Sequence, residues 1–291
     1  TKINFVISRN TNDEINGILG FISCALSNVS DVCTVIWKVS KNNQNPILGI
    51  QLLQYLKDYN VGTILSVGIN KKTIGIYNYL GFFTDKLKHY VILNYEIKKF
   101  SICKIPEYKK HLITYSQDEQ LSIKIIEDKM EFSKFKFEDY KEFIPFKDKK
   151  YFIKRYFHHP IFSYKIYGVY FLDNLKCLFV TRIQDYNESQ IIRIIDFYGD
   201  QNYIKPFGEF LSDLIVKENY EYADFYCFGL DNNILESSGF NLINQNSEEL
   251  IIPNYFNPYL KKNIPINFFV DSKEVNKVRI FKGDGDQDRP S

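Results

Sequence analysis

A chain of 291 residues with 45% hydrophobic and 25% charged content is a folded globular protein, long enough for two domains of ordinary size. Its formal net charge of +2 argues against a dedicated nucleic-acid binder, whose affinity comes from many uncompensated Lys and Arg residues. No apolar run reaches the roughly 20 residues of a membrane-spanning helix, and no basic-then-apolar leader is evident, so no membrane insertion is expected. The five cysteines, Cys24, Cys33, Cys103, Cys177 and Cys227, have no CxxC spacing and read as buried free thiols of a reducing compartment, which makes the cytoplasm the expected location.

Residues 3–8 and 15–24 are strand-like apolar runs separated by the turn-forming residues 9–13, and Thr34–Val39 is a third strand. Polar residues 40–46 follow, with Pro46 suited to the first turn of a helix. From Ile47 the period changes: Ile47, Leu48, Leu52, Leu53 and Leu56 share one helical face. Strand Thr63–Val67 comes next, and Asn70 is placed to cap a short helix that runs to Leu80 and stops at Gly81. Tyr90–Leu93 reads as the strand that closes this unit. Residues 96–145 read as a connector and an opening helix. Phe132, Lys134, Phe135, Lys136 and Phe137 could suggest RNA stacking, but Glu131, Glu138, Asp139 and Glu142 offset the charge and favour an amphipathic surface helix.

A strand, a polar turn and a helix N-terminus together form an anion site, because free backbone N–H groups and the positive end of the helix dipole meet there. Here the turn is Gln44-Asn-Pro-Ile-Leu-Gly49, and Gly49 has no Cβ to obstruct a ligand. Gln44 and Gly49 match the outer positions of the Q/R-x-x-G-x-G/A turn of GNAT acyltransferases, with Ile47 in place of the first glycine. Val67-Gly-Ile-Asn70 and Ile76-Tyr77-Asn-Tyr-Leu-Gly81-Phe82 match the family's later strand, helix and Gly-Phe ending. Residues 3–95 therefore resemble a GNAT domain, although they open at what would be its second strand.

The second half echoes the first. Pro206-Phe-Gly208 followed by Phe210, Leu211, Leu214 and Ile215 mirrors Pro46 to Leu56, Ala223–Phe228 with Gly229-Leu-Asp231 mirrors Ile64 to Asn70, and Ile234 to Phe240 mirrors Ile76 to Phe82. The expected fold is α/β, with two tandem GNAT-like domains whose mixed central sheets are flanked by helices, the first lacking its usual N-terminal elements. The first domain is expected over 1–110, and a degenerate, acceptor-side domain with a C-terminal tail over 111–291. Segments such as Lys88-His89-Tyr90, Arg155-Tyr-Phe-His-His159-Pro160 and Arg193-Ile-Ile-Asp196 are also similar to acyltransferase-like proteins encoded with bacterial surface-polysaccharide enzymes.

The resemblance implies an acyl-CoA co-substrate held by Val39, Ser40, Gln44, Ile47, Leu48, Gly49, Ile50, Asn70, Lys71 and Tyr77. A backbone N–H near Val39 and Ser40 would hold the oxyanion, and Tyr77 would protonate the leaving thiolate. Lys71 and Lys72 could meet the cofactor's phosphates. His159 and His89 are the best-tuned candidates for a general base. Asp196 and Asp224, in or beside apolar strands, read either as amine-binding groups or as halves of structural ion pairs. No metal is expected: the acidic tail from Asp284 lacks the glycine and glutamate of a calcium loop, and no His/Cys cluster has zinc spacing. The implied acceptor is an amino sugar carried on a nucleotide, bound between the lobes with the tail across the cleft, its carboxylates on sugar hydroxyls or on Arg155. An aminoacyl-tRNA-dependent transferase and a non-enzymatic carbohydrate- or protein-binding scaffold are the alternatives, and the oligomeric state stays open.

Overall fold

The computed structural model describes residues 4–26, 30–59, 61–106 and 120–285. In chain order its first half contains β1 (Asn4–Arg9), β2 (Ile15–Ser23), β3 (Val32–Val39), α1 (Leu48–Asp58), β4 (Ile64–Val67), α2 (Ile74–Tyr79), β5 (Phe83–Lys86) and β6 (Lys88–Leu93). The second half contains β7 (Leu121–Ile125), α3 (Lys149–Phe152), β8 (Lys165–Phe171), β9 (Asn174–Tyr186), β10 (Ser189–Gly199), α4 (Ile204–Lys217), β11 (Tyr222–Phe228), α5 (Asn232–Ser237), β12 (Asn241–Leu242), β13 (Asn267–Val270) and β14 (Ile280–Phe281).

The two sheets follow one plan. In the first, β1, β2 and β3 form an antiparallel meander, and α1 carries the chain over to β4, parallel to β3. In the second, β7 to β10 form the meander, and α4 carries the chain over to β11, parallel to β10. The strand that follows each unit then changes sheets. Leu87 alone separates β5 from β6, and β6 lies in the second sheet between β11 and β12. In return, β13 enters the first sheet between β4 and β5. Tyr90–Leu93 is thus a strand, as its composition indicates, but it does not close the first unit. Both exchanged strands are interior, with Tyr90, Val91, Phe268, Phe269 and Val270 all fully buried, which is why neither shows polar alternation. The boundary expected near residue 110 lies outside the described residues, and the two sheets share strands from either side of it.

Local signals repeat with the topology. Asn70 and Asp231 each cap the helix that follows, accepting from the N–H groups of Lys72 and Asn233. Gly81 and Gly239 both adopt positive φ, and the next residue closes the same helix-ending bond, Phe82 N–H to Tyr77 C=O and Phe240 N–H to Leu235 C=O. The amphipathic helix expected around residues 131–142 is not formed. Two 3-10 turns, Lys129–Lys134 and Phe137–Tyr140, bury Phe132, Phe135 and Phe137 in an aromatic core with Phe152 and Tyr198. All five cysteines are buried and free.

Residues of both sheets, among them Cys33, Leu65, Val67, Tyr226, Phe268 and Ile280, pack into one cluster between them. Because each sheet needs a strand from the other half, fragments 1–106 and 120–291 produced separately should each lack cooperative unfolding, and their mixture should regain a single transition by circular dichroism. A cooperative transition in isolated 1–106 would contradict the exchange.

Candidate active site

The parallel strands β3 and β4 pair only at Val32–Ile64 and Cys33–Leu65, and then diverge. A bulge in the β2–β3 register between Gly20 and Phe21 bends β3 away at this point. Ser40 N–H donates to Asn16 C=O at 2.9 Å, so it is not available to an oxyanion, against the sequence expectation. Strand alternation then turns the backbone N–H and C=O groups of Val39 and Trp37 toward the diverging side, where no described strand pairs with them. The result is a wedge with free backbone donors along one wall.

The start of α1 stands at the mouth of this wedge. Asn45 organises the turn: its side chain accepts from Ile47 N–H at 3.1 Å and donates to Gln51 at 2.7 Å, and its C=O accepts from Leu48 N–H at 3.3 Å. The N–H groups of Gly49 and Ile50 meet no acceptor among the described residues, and no acidic residue lies in the first turn of α1. These are the two features an anion needs there. Gln44 and Ile47 are exposed, and Leu48 is buried in the core. Asn70 caps its turn as expected, with Lys71 and Lys72 exposed beside it.

Trp37, which sequence reasoning passed over, lies beneath this turn. A Cβ on Gly49 would sit 3.3 Å from Trp37 Nε1, so the glycine also makes room for the indole. Trp37 lies 6.0 Å from Tyr77, ring to ring, and Tyr77 stacks on Phe269 of the exchanged strand β13 at 4.2 Å. Burial raises the Tyr77 pKa, a bond with Thr73 offsetting part of the shift, so the phenol stays protonated at neutral pH. Its counterpart in the second unit is Leu235.

The second unit has the same divergence but a different occupant. The β10–β11 pairing runs through Ile194–Phe225, and β10 is bulged between Ile194 and Asp196. Beyond that point β14 pairs with β11 on the side that β10 has left, through Cys227–Phe281 and Phe228–Ile280. The backbone N–H of Gly283 then donates to Ile195 C=O at 2.7 Å, at the bulge itself. The chain's own C-terminal segment closes the second wedge.

The acid–base candidates of the second unit hold this segment instead of lining a cleft. Asp196 is fully buried and accepts from Lys147 Nζ at 2.7 and 2.9 Å and from Tyr156 at 2.5 Å, while Lys147 also pairs with Asp284 at 2.8 Å. Burial, reinforced by Asp196, pushes the Asp284 carboxyl up to about 6. Arg155 donates to the backbone carbonyls of Gly283 and Gly285, and Asp284 is fully buried against Lys147 and so closed to a sugar hydroxyl; the rest of the expected tail, residues 286–291, lies outside the described residues. His89 is corrected as a base: it is fully buried, stacked on Tyr226 at 3.8 Å, with Nε2 3.0 Å from Asp224 and its pKa lowered by burial. Asp224 also receives two bonds from Arg193, at 2.8 and 2.7 Å, and is the structural half-pair considered for it. His159 lies half-buried after the helical turn Ile153–Phe157. Its Nδ1 accepts from the N–H groups of Ile161 and Phe162, an arrangement that ends the turn.

No protein-family model and no curated protein sequence matches the chain. Among solved structures, it is similar to a GCN5-related N-acetyltransferase from Anabaena variabilis, with a TM-score of 0.56 and 10% identity. It is also similar to a conserved protein of unknown function from Enterococcus faecalis, with a TM-score of 0.52 and 11% identity. The fold is of the GNAT type. In each case the alignment covers 92% of this chain and 62% of the other, so the chain spans less than two thirds of these GNAT-type relatives. No helix among the described residues is long and apolar enough to cross a membrane.

The Asp224 cluster has a measurable signature. Burial would raise this carboxyl, but Arg193 overrides it and holds the pKa near 2, below the ordinary 3.8. A depressed carboxylate contributes stability above its unfolded pKa and loses it as pH falls through the folded one, here on the order of 2 kcal/mol between about pH 4 and 2. Asp224→Asn should cost roughly 3–5 kcal/mol near neutrality, because Arg193 is left buried without a counter-ion. It should also flatten the acid limb of urea-unfolding stability; an unchanged limb would contradict the pairing.

Proposed function

We propose that the chain is an acyl-CoA-dependent N-acyltransferase that seats its donor in the first wedge. The observation that carries this reading is the contrast between the two units. One wedge is open, with free Trp37 and Val39 donors, free Gly49 and Ile50 amides and a protonated Tyr77, whereas the other is closed by β14.

In this reading the pyrophosphate of CoA meets the amides at the start of α1, and the thioester lies along β3. The amine of the acceptor attacks the thioester carbon, forming C–N, and the oxyanion accepts from backbone N–H on the wall of Trp37 and Val39. As C–S breaks, Tyr77 gives its proton to the leaving thiolate. The amine proton passes to solvent water, since Asp196 and His89 are sealed in ion-paired clusters. The acceptor class that the sequence resemblance supports is an amino sugar carried on a nucleotide, in surface-polysaccharide biosynthesis. Acyl-CoA and nucleotide-linked sugars both belong to the cytoplasm, which is the location proposed. The near-neutral charge disfavours a tRNA-borne donor.

Trp37 is the chain's single tryptophan and reports directly on the wedge. Acetyl-CoA should change its emission and raise the melting temperature, because a ligand bound only by the folded state stabilises it by mass action. Unchanged emission and melting would favour the non-enzymatic scaffold. Tyr77→Phe should lower kcat roughly ten- to a thousandfold with little change in the KM for acetyl-CoA, since the lost bond strengthens in the transition state. Full activity of that variant would reduce Tyr77 to a packing role.

A further inference from the structure

Beyond the end of β14 the second unit keeps a cavity of about 280 Å³, bounded by residues 197–202, Leu230, Arg279, Phe281 and the rings of Tyr140 and Phe143. It lies where β10 turns toward α4 and β11 ends, at the rim of the wedge that β14 fills.

Arg279 is half-buried there. Its Nη1 donates to the carbonyls of Asn276 and Val278, both at 2.9 Å, and the guanidinium lies 5.1 Å from the centre of the Phe143 ring. Nε and Nη2 meet no acceptor, and no carboxylate pairs with the group, among the described residues. Burial pulls the Arg279 pKa down, with Glu142 offsetting part of the shift, as for a cation partly desolvated without a full counter-charge. On the same cavity, Asp200 commits Oδ1 to the backbone and side-chain nitrogens of Asn202, at 3.0 and 2.9 Å, and Oδ2 has no partner among the described residues.

A fork of free guanidinium donors suits a phosphate oxygen pair, aromatic walls suit a flat ring, and an unpaired carboxylate oxygen suits hydroxyl donors but repels phosphate. We propose that this cavity binds a nucleoside phosphate, with the phosphate on Arg279, the base against the aromatic rings and the ribose hydroxyls on Asp200. The volume, just under the usual range of ligand cavities (roughly 300–1,000 Å³), favours a compact nucleotide over whole CoA. The inference deepens the function proposed above, since a nucleotide-carried acceptor would be held here by its carrier, but the cavity chemistry stands without that reading.

UMP and AMP serve as probes, followed by calorimetric titration of the full chain. At least one should bind with a measurable heat, and Arg279→Gln should weaken it roughly ten- to hundredfold, the loss expected for a charge-assisted bond. Leu230→Trp, which fills the cavity from another side, should abolish binding, so the inference stays testable should Arg279→Gln fold poorly. Both variants should keep the wild-type melting response to acetyl-CoA, which reads the first wedge separately. Absence of heat from both nucleotides, or binding that neither variant weakens, would overturn the nucleotide site and leave the donor site untouched. Binding lost only on addition of acetyl-CoA, and unaffected by either variant, would place the nucleotide in the first wedge and likewise overturn the inference.

Discussion

The reciprocal exchange of β6 and β13 is the constraint from which the rest of the architecture follows. Leu87 passes the chain out of the first sheet within a single residue, and β13 returns only after β7 to β12 have been laid down in the second sheet. Both strands become interior members, buried from His89 to Leu93 and from Phe268 to Val270, so neither sheet can form its centre without the other half of the chain. From β13 the chain turns back toward the second unit. It does so as β14, in the space that the bulged β10 has vacated. The divergence that leaves a wedge open in the first unit is therefore filled in the second by the consequence of the same exchange.

Buried charges fix this asymmetry. Removing Lys147, Asp196 and Asp284 from water is costly, and such pairs commonly contribute little net stability. What they supply here is position: Lys147 ties β10 to the tail, Arg155 holds the tail's carbonyls, and Gly283 meets the β10 bulge. Gly285 then reaches the first unit, where a Cβ would lie 3.6 Å from Cys33 Cβ, close to the point at which β3 leaves β4. The tail so spans from one bulged strand to the other, and the roles of the two units become fixed by packing.

Local structure was legible in the sequence wherever the signal was itself local. The leucines of α1, the caps at Asn70 and Asp231, and the Gly-Phe endings at residues 81–82 and 239–240 lie within one helical turn of what they govern. Long-range placement was not. An apolar run such as Tyr90–Leu93 announces a buried strand without naming its sheet. His89 and Asp196 attract attention as residue types, yet their partners are 135 and 49 residues away. Trp37 was hidden because its exposure to the wedge depends on a bulge that no periodicity displays. The acidic residues around the Phe-Lys alternation at 132–137 suggested an amphipathic surface helix, and 3-10 turns instead bury three phenylalanines.

The central claim is that the first wedge, and not its counterpart, receives the donor. Amide hydrogen exchange, with and without acetyl-CoA, tests it most directly, because the groups assigned to the ligand are backbone N–H groups that meet no acceptor among the described residues. The account predicts slowed exchange in peptides covering Trp37–Val39 and Gly49–Ile50, with the segment from Ile194 to Asn202 unchanged. Protection confined to that second-unit segment, or no protection at saturating acetyl-CoA, would contradict it.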